Sequence, residues 1–505
     1  MGALPFYEKS IKKVDGNGPW ASVEEMARFA PPTPQEGVIL ANGAGLSVSD
    51  ETPWQYSTNR NVAVIGGSGS GKSRSFVMPN LINHLGANYV ITDTKRELYR
   101  LTARGFEEDG YEVVRLDAAD PSRSCRFNPL QYVRTVQDVP KIAEIILESI
   151  NPSRRNIGKT ENEAFWVKTE TMLMCACVGL LLVLEERFGA LAPGAAPGSP
   201  YVYLTMKRLL ELLDLVQVPD EGSSGVARPS PLDRAFATLA QGNAAGAMSK
   251  MTIRFEADPA GYAVRQYYDF KVAARRTMAS IVISLNADLS RLKTPELMRI
   301  FSGDDLELDR IDEGKRVIYL AMSDNESSTA FLGRMAFRLL LNRTLAQADD
   351  REDGRLAKPL TFMCDEFANL GALQDFERVI SIARSRRINF LLCLQSVSQL
   401  KRVYGPACAT IILDNCDAMV LMGGGSSYES AEYFSRLCGT SQIGTELVGI
   451  ERNRKGIQDY VMSASDIARL PREQCIVRIA GARPFLTTKF DVRKHPNASR
   501  FLDVA

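Results

Sequence analysis

The sequence predicts an α/β fold in which a doubly wound parallel sheet is interrupted by an inserted all-α segment. Three observations carry that expectation. Short, continuously apolar runs alternate with helical spacing in the first part of the chain. Helical spacing alone prevails from about 137 to 275, and the apolar runs then resume. An apolar run without alternation marks a strand buried on both faces, as parallel sheets require. At 505 residues the chain also exceeds what one hydrophobic core usually supports, so more than one domain is expected.

Taken in order, residues 1–36 form a leading segment rich in turn formers, with PPTP at 31–34. Residues 37–136 hold the first part of the sheet domain. GVILA is a short strand candidate, and NVAVIGG is a buried strand followed by a glycine-rich loop. RSFVMPNLINHL has helical spacing, YVITDTK is a second buried strand and YEVVRLD a third. Residues 137–275 read as an all-α insertion built from VPKIAEIILESI, ENEAFWVKTETMLMCACVGLLLVLEERF, YLTMKRLLELLDL and LDRAFATLAQ. The Pro/Gly/Ser-rich loops GALAPGAAPGSP and VPDEGSSGVARPSP lie between them. Residues 276–505 return to strands with RVIYLAM, LTFMCD, INFLLCLQ, AMVLMGG and CIVRIAG. The first and third parts therefore form one discontinuous domain.

Composition narrows the function classes. With 45% hydrophobic and 24% charged residues, the chain is an ordinary globular protein and not a disordered one. Lys plus Arg number 61 against 60 Asp plus Glu, a net charge of +1, so no global field draws the protein to nucleic acid. Only two histidines, His84 and His495, are present, which argues against a His-based zinc site or a Ser-His-Asp triad. The nine cysteines are scattered, and Cys175 and Cys177 sit in an apolar run without metal-ligand spacing, so reduced core thiols and a cytoplasmic setting are expected. The longest unbroken apolar run, Met172 to Leu184, falls short of the ~20 residues of a membrane span, and no signal peptide is apparent.

The chemistry starts at the glycine-rich loop. Gly66, Gly67, Ser68, Gly69, Ser70, Gly71, Lys72 and Ser73 match the phosphate-loop pattern, after a strand and before a helix. Glycines permit the torsions that turn successive N–H groups onto a phosphate, and the helix amino end adds favourable potential. Lys72 would reach the β and γ phosphates of ATP, and Ser73 would ligate Mg2+. A glycine-rich turn that binds nothing is disfavoured by both flanks and the Lys-Ser ending.

Hydrolysis needs a further carboxylate, and LTFMCDEF supplies one. Asp365 would hold the magnesium, and Glu366 would orient and deprotonate the attacking water. A merely capping acidic pair is weak here, because the preceding run has the apolar character of a central strand beside the phosphate loop. In SIARSRRINFLLCLQS, Gln395 ends a buried strand where a glutamine can sense the γ phosphate. Arg384, Arg386 and Arg387 precede that strand, and a trans-acting role, DNA-phosphate contacts and a solvated basic face all remain open for them. Asp93, Lys95 and Glu97 in VITDTKRELY read as a helix start with capping carboxylates.

Taken together, VIGGSGSGKSRSFVMPNL, VITDTKRELY, FNPL at 127–130, MCDEFANLG, IARSRRINFLLCLQS and SASDIARLPREQCIVRIAGARPF resemble the type IV coupling proteins, the VirD4 and TraG group. The resemblance covers nearly the whole chain, with the motifs in the family's order. It implies a RecA-like P-loop NTPase motor with an inserted all-α domain, TMASIVIS at 277–284 resembling the return into the motor. It further implies a homo-hexamer with ATP and Mg2+ at subunit interfaces, coupling a relaxase-bound single strand of DNA, or protein substrates, to a type IV secretion channel at the cytoplasmic face of the membrane. Carried over to this sequence, Lys72 and Ser73 bind phosphate and magnesium, and Asp365 and Glu366 are the Walker B pair. Gln395 is the sensor and Arg384 the arginine finger, with Arg386 the second candidate. The family usually bears amino-terminal membrane helices, which this sequence lacks, while GPWAS at 18–22 resembles the segment after them. Two other readings are a double-stranded DNA pump of the FtsK kind, against which the α insertion and MCDEFANLG speak, and a substrate adaptor whose nucleotide binding serves assembly.

Overall fold

The computed structural model describes residues 19–31, 37–49, 51–84, 86–117, 120–152, 161–189, 201–216, 229–244, 258–272, 275–322, 330–442 and 458–501. Most of residues 1–36 and of the two Pro/Gly/Ser-rich loops lie outside them. The chain divides into two compact units, one of residues 1–113, 310–319 and 344–505, the other of residues 114–309 and 320–343.

Thirteen strands are described: β1 (Gly37–Ala41), β2 (Ala44–Ser47), β3 (Val62–Ile65), β4 (Asn88–Asp93), β5 (Glu112–Asp117), β6 (Arg316–Ala321), β7 (Leu360–Cys364), β8 (Ile388–Leu394), β9 (Ala418–Met422), β10 (Thr440–Gln442), β11 (Gln458–Tyr460), β12 (Gln474–Ile479) and β13 (Phe485–Thr488). Nine form one sheet in the order β13-β12-β9-β3-β8-β7-β4-β6-β5. The pairs β9/β3, β3/β8, β8/β7 and β7/β4 are parallel, while β12 runs antiparallel to both β9 and β13. Every residue of β3, β4, β6, β7, β8 and β9 is buried, which is why these segments read as apolar runs instead of alternating ones. The sheet is thus the expected parallel one with an antiparallel edge added.

The strand that carries Asp365, β7, is not beside the phosphate-loop strand β3, because β8 lies between them. Apolar character shows that a strand is central but not which neighbours it has, since neighbours are fixed by backbone pairing.

In the first unit, the hairpin of β1 and β2 contributes to the same core as β3, β4, β9 and β12, through Val38, Leu40 and Leu46. Buried Asn80 locks it to the helix that follows the glycine-rich loop. Its Oδ1 accepts from Ile39 N at 2.7 Å, and its Nδ2 donates to the carbonyls of Ile39 (2.9 Å) and Phe76 (2.8 Å). That helix opens as a π-helical turn over Ser73–Val77, and Pro79 follows, which can donate no helical hydrogen bond of its own.

In the second unit the longest element is the helix Glu161–Phe188. Although the unbroken run Met172 to Leu184 is shorter than a span, the stretch Phe165–Phe188 is long and apolar enough for one, its most apolar window having a mean hydropathy of 1.8 and being 72% buried. It approaches the helix Pro259–Lys271 closely at Gly179, where an added Cβ would lie 3.0 Å from the Cβ of Ala263. Phe236 stacks on Tyr267 with ring centroids 4.1 Å apart. The Asp233 carboxylate, which accepts from Tyr267 Oη at 2.8 Å and pairs with Lys271 at 2.9 Å, lies low, near a pKa of about 2. Burial opposes that shift and is outweighed by these partners together with Ser230.

Candidate functional site

The glycine-rich loop leaves the carboxyl end of β3, where Gly66 N donates to the Leu394 carbonyl at 3.1 Å. This bond sets the loop against the end of β8 and makes Gln395, the next residue, its neighbour. Glycine is required at several loop positions for different reasons. Gly69 and Gly71 have φ of +71° and +87°, a region costly for other residues. A Cβ on Gly67 would come within 2.6 Å of the Gly425 carbonyl oxygen, and one on Gly66 within 2.6 Å of Ser70 Oγ. A second glycine run, Gly423 to Gly425, therefore lies directly alongside.

Lys72 is buried, and its ammonium donates to the carbonyls of Gly66 (2.6 Å) and Gly67 (3.3 Å), so it closes over its own loop. Ser73 Oγ donates to Asp365 Oδ2 at 3.2 Å. Asp365 stands at the end of β7, and its own carbonyl is held by Thr92 Oγ1 of β4 at 2.9 Å. Burial, and then the neighbouring Glu366, push the Asp365 carboxyl up to about 6, against the downward pull of Ser73, Lys72 and Lys95. Asp365 Oδ1 and Ser70 Oγ are buried and have no hydrogen-bond partner among the described residues. A buried oxygen without a partner, beside a serine hydroxyl and facing a costly desolvation, fits a hard cation with oxygen ligands. Among the described residues there is no separate cluster of His, Cys, Asp and Glu suited to a metal.

Glu366 has φ of +56°, an uncommon and strained conformation for a residue with a side chain. Its backbone carbonyl accepts from Asn369 N at 2.8 Å, and its Oε2 accepts from Asn369 Nδ2 at 2.8 Å, which fixes the direction of the carboxylate. Gln395 is half-buried, with its N–H donating to Gln399 Oε1 at 3.2 Å. The structure thus brings Gly66 to Ser73, Asp365, Glu366 and Gln395 to one end of the sheet.

The arginines are elsewhere. Arg384 and Arg386 sit in a short 3-10 turn before β8, at the amino end of a seven-residue strand whose carboxyl end carries Gln395. At ~3.3 Å per residue that strand separates them from the loop by roughly 20 Å. Arg384 is exposed and donates to Ser57 Oγ at 2.8 Å, whereas Arg386 is half-buried and ion-paired to Asp349 at 2.8 Å. Neither reaches the loop of its own chain.

Asp93 is the capping carboxylate expected of its motif, but its Oδ2 reaches forward to Tyr99 N at 2.8 Å while Arg96 occupies the cap position. Lys489, which sequence reasoning passed over, donates to the Ser70 carbonyl at 2.6 Å. Its surroundings, TTKFDV, hold no spacing that links it to a loop more than four hundred residues earlier.

The conjugal transfer protein TraG of Escherichia coli is 23% identical over 431 residues, covering 80% of this chain and 60% of that protein. VirD4 of Agrobacterium fabrum is 23% identical over 381 residues, covering 74% and 49%. The chain thus spans about half to three fifths of the length of these curated relatives. Among solved structures, the coupling protein TrwBdeltaN70 superposes with a TM-score of 0.63 at 17% identity, covering 92% of this chain and 90% of that one. TrwB in complex with ADP and Mg2+ gives 0.62 at 18% identity, covering 93% and 91%. The shared fold is that of a RecA-like P-loop NTPase with an all-α domain. The model for type IV secretory system conjugative DNA transfer matches residues 20–491. This chain belongs to the type IV secretory system conjugative DNA transfer family.

Proposed function

We propose that this chain is the motor of a conjugative coupling protein, which binds ATP with Mg2+, hydrolyses it, and uses the cycle to recruit and move DNA-relaxase or protein substrates into a type IV secretion channel. The observation that carries the reading is the meeting of Ser73 and Asp365 beneath a loop whose torsions only glycine adopts easily. Family membership supports the setting of a type IV secretion system, and the proposed place of action is the cytoplasmic face of the cell membrane.

The chain's own residues then have defined tasks. Lys72 leaves the carbonyls of Gly66 and Gly67 for the β and γ phosphates, and the loop N–H groups take the remaining oxygens. Ser73 and Asp365 would hold Mg2+, which when bound neutralises charge on the phosphates. Glu366 accepts a proton from the attacking water, its carboxylate oriented by Asn369, and Gln395 hydrogen-bonds that water or the γ phosphate. Arg384, exposed and far from its own loop, faces the site of a neighbouring copy and stabilises the developing charge there. This arrangement makes activity a property of an assembly, for which a hexameric ring is the expected form.

The test is ATP turnover against protein concentration, with and without single-stranded DNA, for wild type and Glu366→Gln. Turnover should rise more steeply than linearly with concentration, and Glu366→Gln should bind ATP while turning over at least about a hundredfold more slowly. Background turnover by wild type under conditions where assemblies form would overturn the motor reading and favour a nucleotide-dependent adaptor.

A further inference from the structure

Lys489 follows β13 directly, and its half-buried ammonium donates to two backbone carbonyls, Ser70 at 2.6 Å and Gly423 at 2.9 Å. Ser70 belongs to the phosphate loop, and Gly423 opens the second glycine run, where Gly424 and Gly425 have φ of +94° and +106°. The two loops touch: Gly67 has room for no Cβ because of the Gly425 carbonyl, and Gly66 for none because of Met422 as well as Ser70. Gly423 is itself crowded from the other side, since a Cβ there would fall 2.1 Å from the Pro471 carbonyl oxygen. The glycine run is therefore wedged between the segment before β12 and the phosphate loop, and Lys489 ties it to the latter. The Lys489 backbone is fixed in turn, its N–H donating to the Glu473 carbonyl at 2.8 Å.

We propose that Lys489 is a positioning residue of the phosphate site, holding the Ser70–Gly71 peptide in the orientation that aims the Gly71 N–H at the nucleotide. The reason is the planarity of the trans peptide, in which C=O and the following N–H point in opposite directions. A donor that fixes the Ser70 carbonyl outward fixes the Gly71 N–H inward. Gly71 has φ of +87°, and a Cβ built on it would meet nothing nearer than Ser75 Oγ at 3.6 Å, so the glycine leaves this peptide wide torsional freedom that a fixed carbonyl removes. A lysine suits the task because an ammonium offers three donors and can serve two carbonyls at once. Burial lowers the Lys489 pKa, with Arg472 and Lys72 adding to the lowering and Cys475 and Glu473 opposing it.

This inference rests on the nucleotide reading above, and the experiment separates the two. Binding of ATP and of ADP, each with Mg2+, is titrated for wild type, Lys489→Met and Lys489→Arg in the full chain, alongside melting temperature and amide exchange without nucleotide. If wild type binds neither nucleotide, the function proposal fails. If wild type binds, Lys489→Met should bind ATP and ADP more weakly by a similar factor of about ten or more, as loss of a charge-assisted bond predicts. Lys489→Arg should recover most of that loss. The KM for ATP should rise more than kcat falls, and the Gly71 amide should exchange faster while amides of β3 do not. Unchanged binding in a folded Lys489→Met, or a Gly71 amide whose exchange is unaltered, would overturn the assignment. Should Lys489→Met fail to fold, Lys489→Gln, which keeps two N–H donors on a shorter, uncharged side chain, is read by the same two criteria.

Discussion

Ser73 Oγ and Asp365 Oδ2 stand 3.2 Å apart although 292 positions separate them along the chain. The contact joins the helix end of the glycine-rich loop to the carboxyl end of β7, two strands away from β3 in the sheet. Between the two strands lies β8, whose Leu394 carbonyl accepts from Gly66 N and so anchors the start of the loop.

Asp365 is kept at a cost to stability. A carboxyl raised to about 6 from an ordinary value of 3.8 disfavours the folded state wherever it is ionised, above about pH 6, and has no such effect below the ordinary carboxylate range. Asp365→Asn should therefore raise stability without nucleotide by about 1–2 kcal/mol at pH 7.5, with the gain shrinking toward pH 4. The same variant should lose the Mg2+-dependent part of ATP binding. A lowered melting temperature at pH 7.5 would contradict the first expectation, and retained Mg2+ dependence the second.

Arg384 and Arg386 should separate cleanly. Arg386 is engaged with Asp349 and the Ile382 carbonyl, so Arg386→Ala should cost at most about 1 kcal/mol and leave turnover nearly intact. Arg384→Ala should leave the melting temperature unchanged and lower kcat by about a hundredfold or more. Mixing Arg384→Ala with Lys72→Ala should restore part of the activity, because one subunit then supplies the loop and the other the arginine. No recovery in mixed assemblies would place the arginine's action within one chain.

The loop glycines should differ according to what limits each. Gly67→Ala drives a methyl group into the Gly425 carbonyl and should cost about 2 kcal/mol together with most nucleotide affinity. Gly69 has open space around a Cβ and only its φ of +71° to object, so Gly69→Ala should cost about 1 kcal/mol and Gly69→Asn less. Thermal melts with ATP titrations of the three variants check this, and equal penalties would refute it.

His495 should make stability fall in mild acid. It is buried, accepts from Asn497 N on Nδ1 at 3.1 Å, and meets Asn83 Oδ1 with Nε2 at 3.2 Å, a pattern that the neutral ring satisfies and the imidazolium does not. Burial, and then His84, lower its pKa to about 4. For a base whose folded pKa is depressed, stability is whole above the ordinary value near 6.5 and declines as pH falls from there toward 4. Chemical unfolding at pH 7 and pH 4.5 should differ by on the order of 2 kcal/mol from this group, and the slope should flatten in His495→Gln.

Much of the site was legible because its signals are local. The phosphate loop shows itself through torsions that a few adjacent residues must adopt. The pair Asp365 and Glu366, and Gln395, are conspicuous because they come just after strands whose apolar runs mark them as buried on both faces. The helical spacing between 137 and 275 is local in the same way. The limits of the second unit, by contrast, depend on which residues pack together, and contacts place its start at Val114.

The sequence by itself determined the α/β class, the order of strands along the chain and the glycine-rich loop between strand and helix, because periodicity and backbone torsion are properties of short segments. Only the tertiary structure decided that β8 lies between β3 and β7, that Arg386 is engaged while Arg384 is exposed, and that Lys489 and Asn80 brace the loop and its helix. Those facts rest on pairings between residues far apart in sequence, and which distant groups meet is settled by packing and backbone hydrogen bonding in the whole fold.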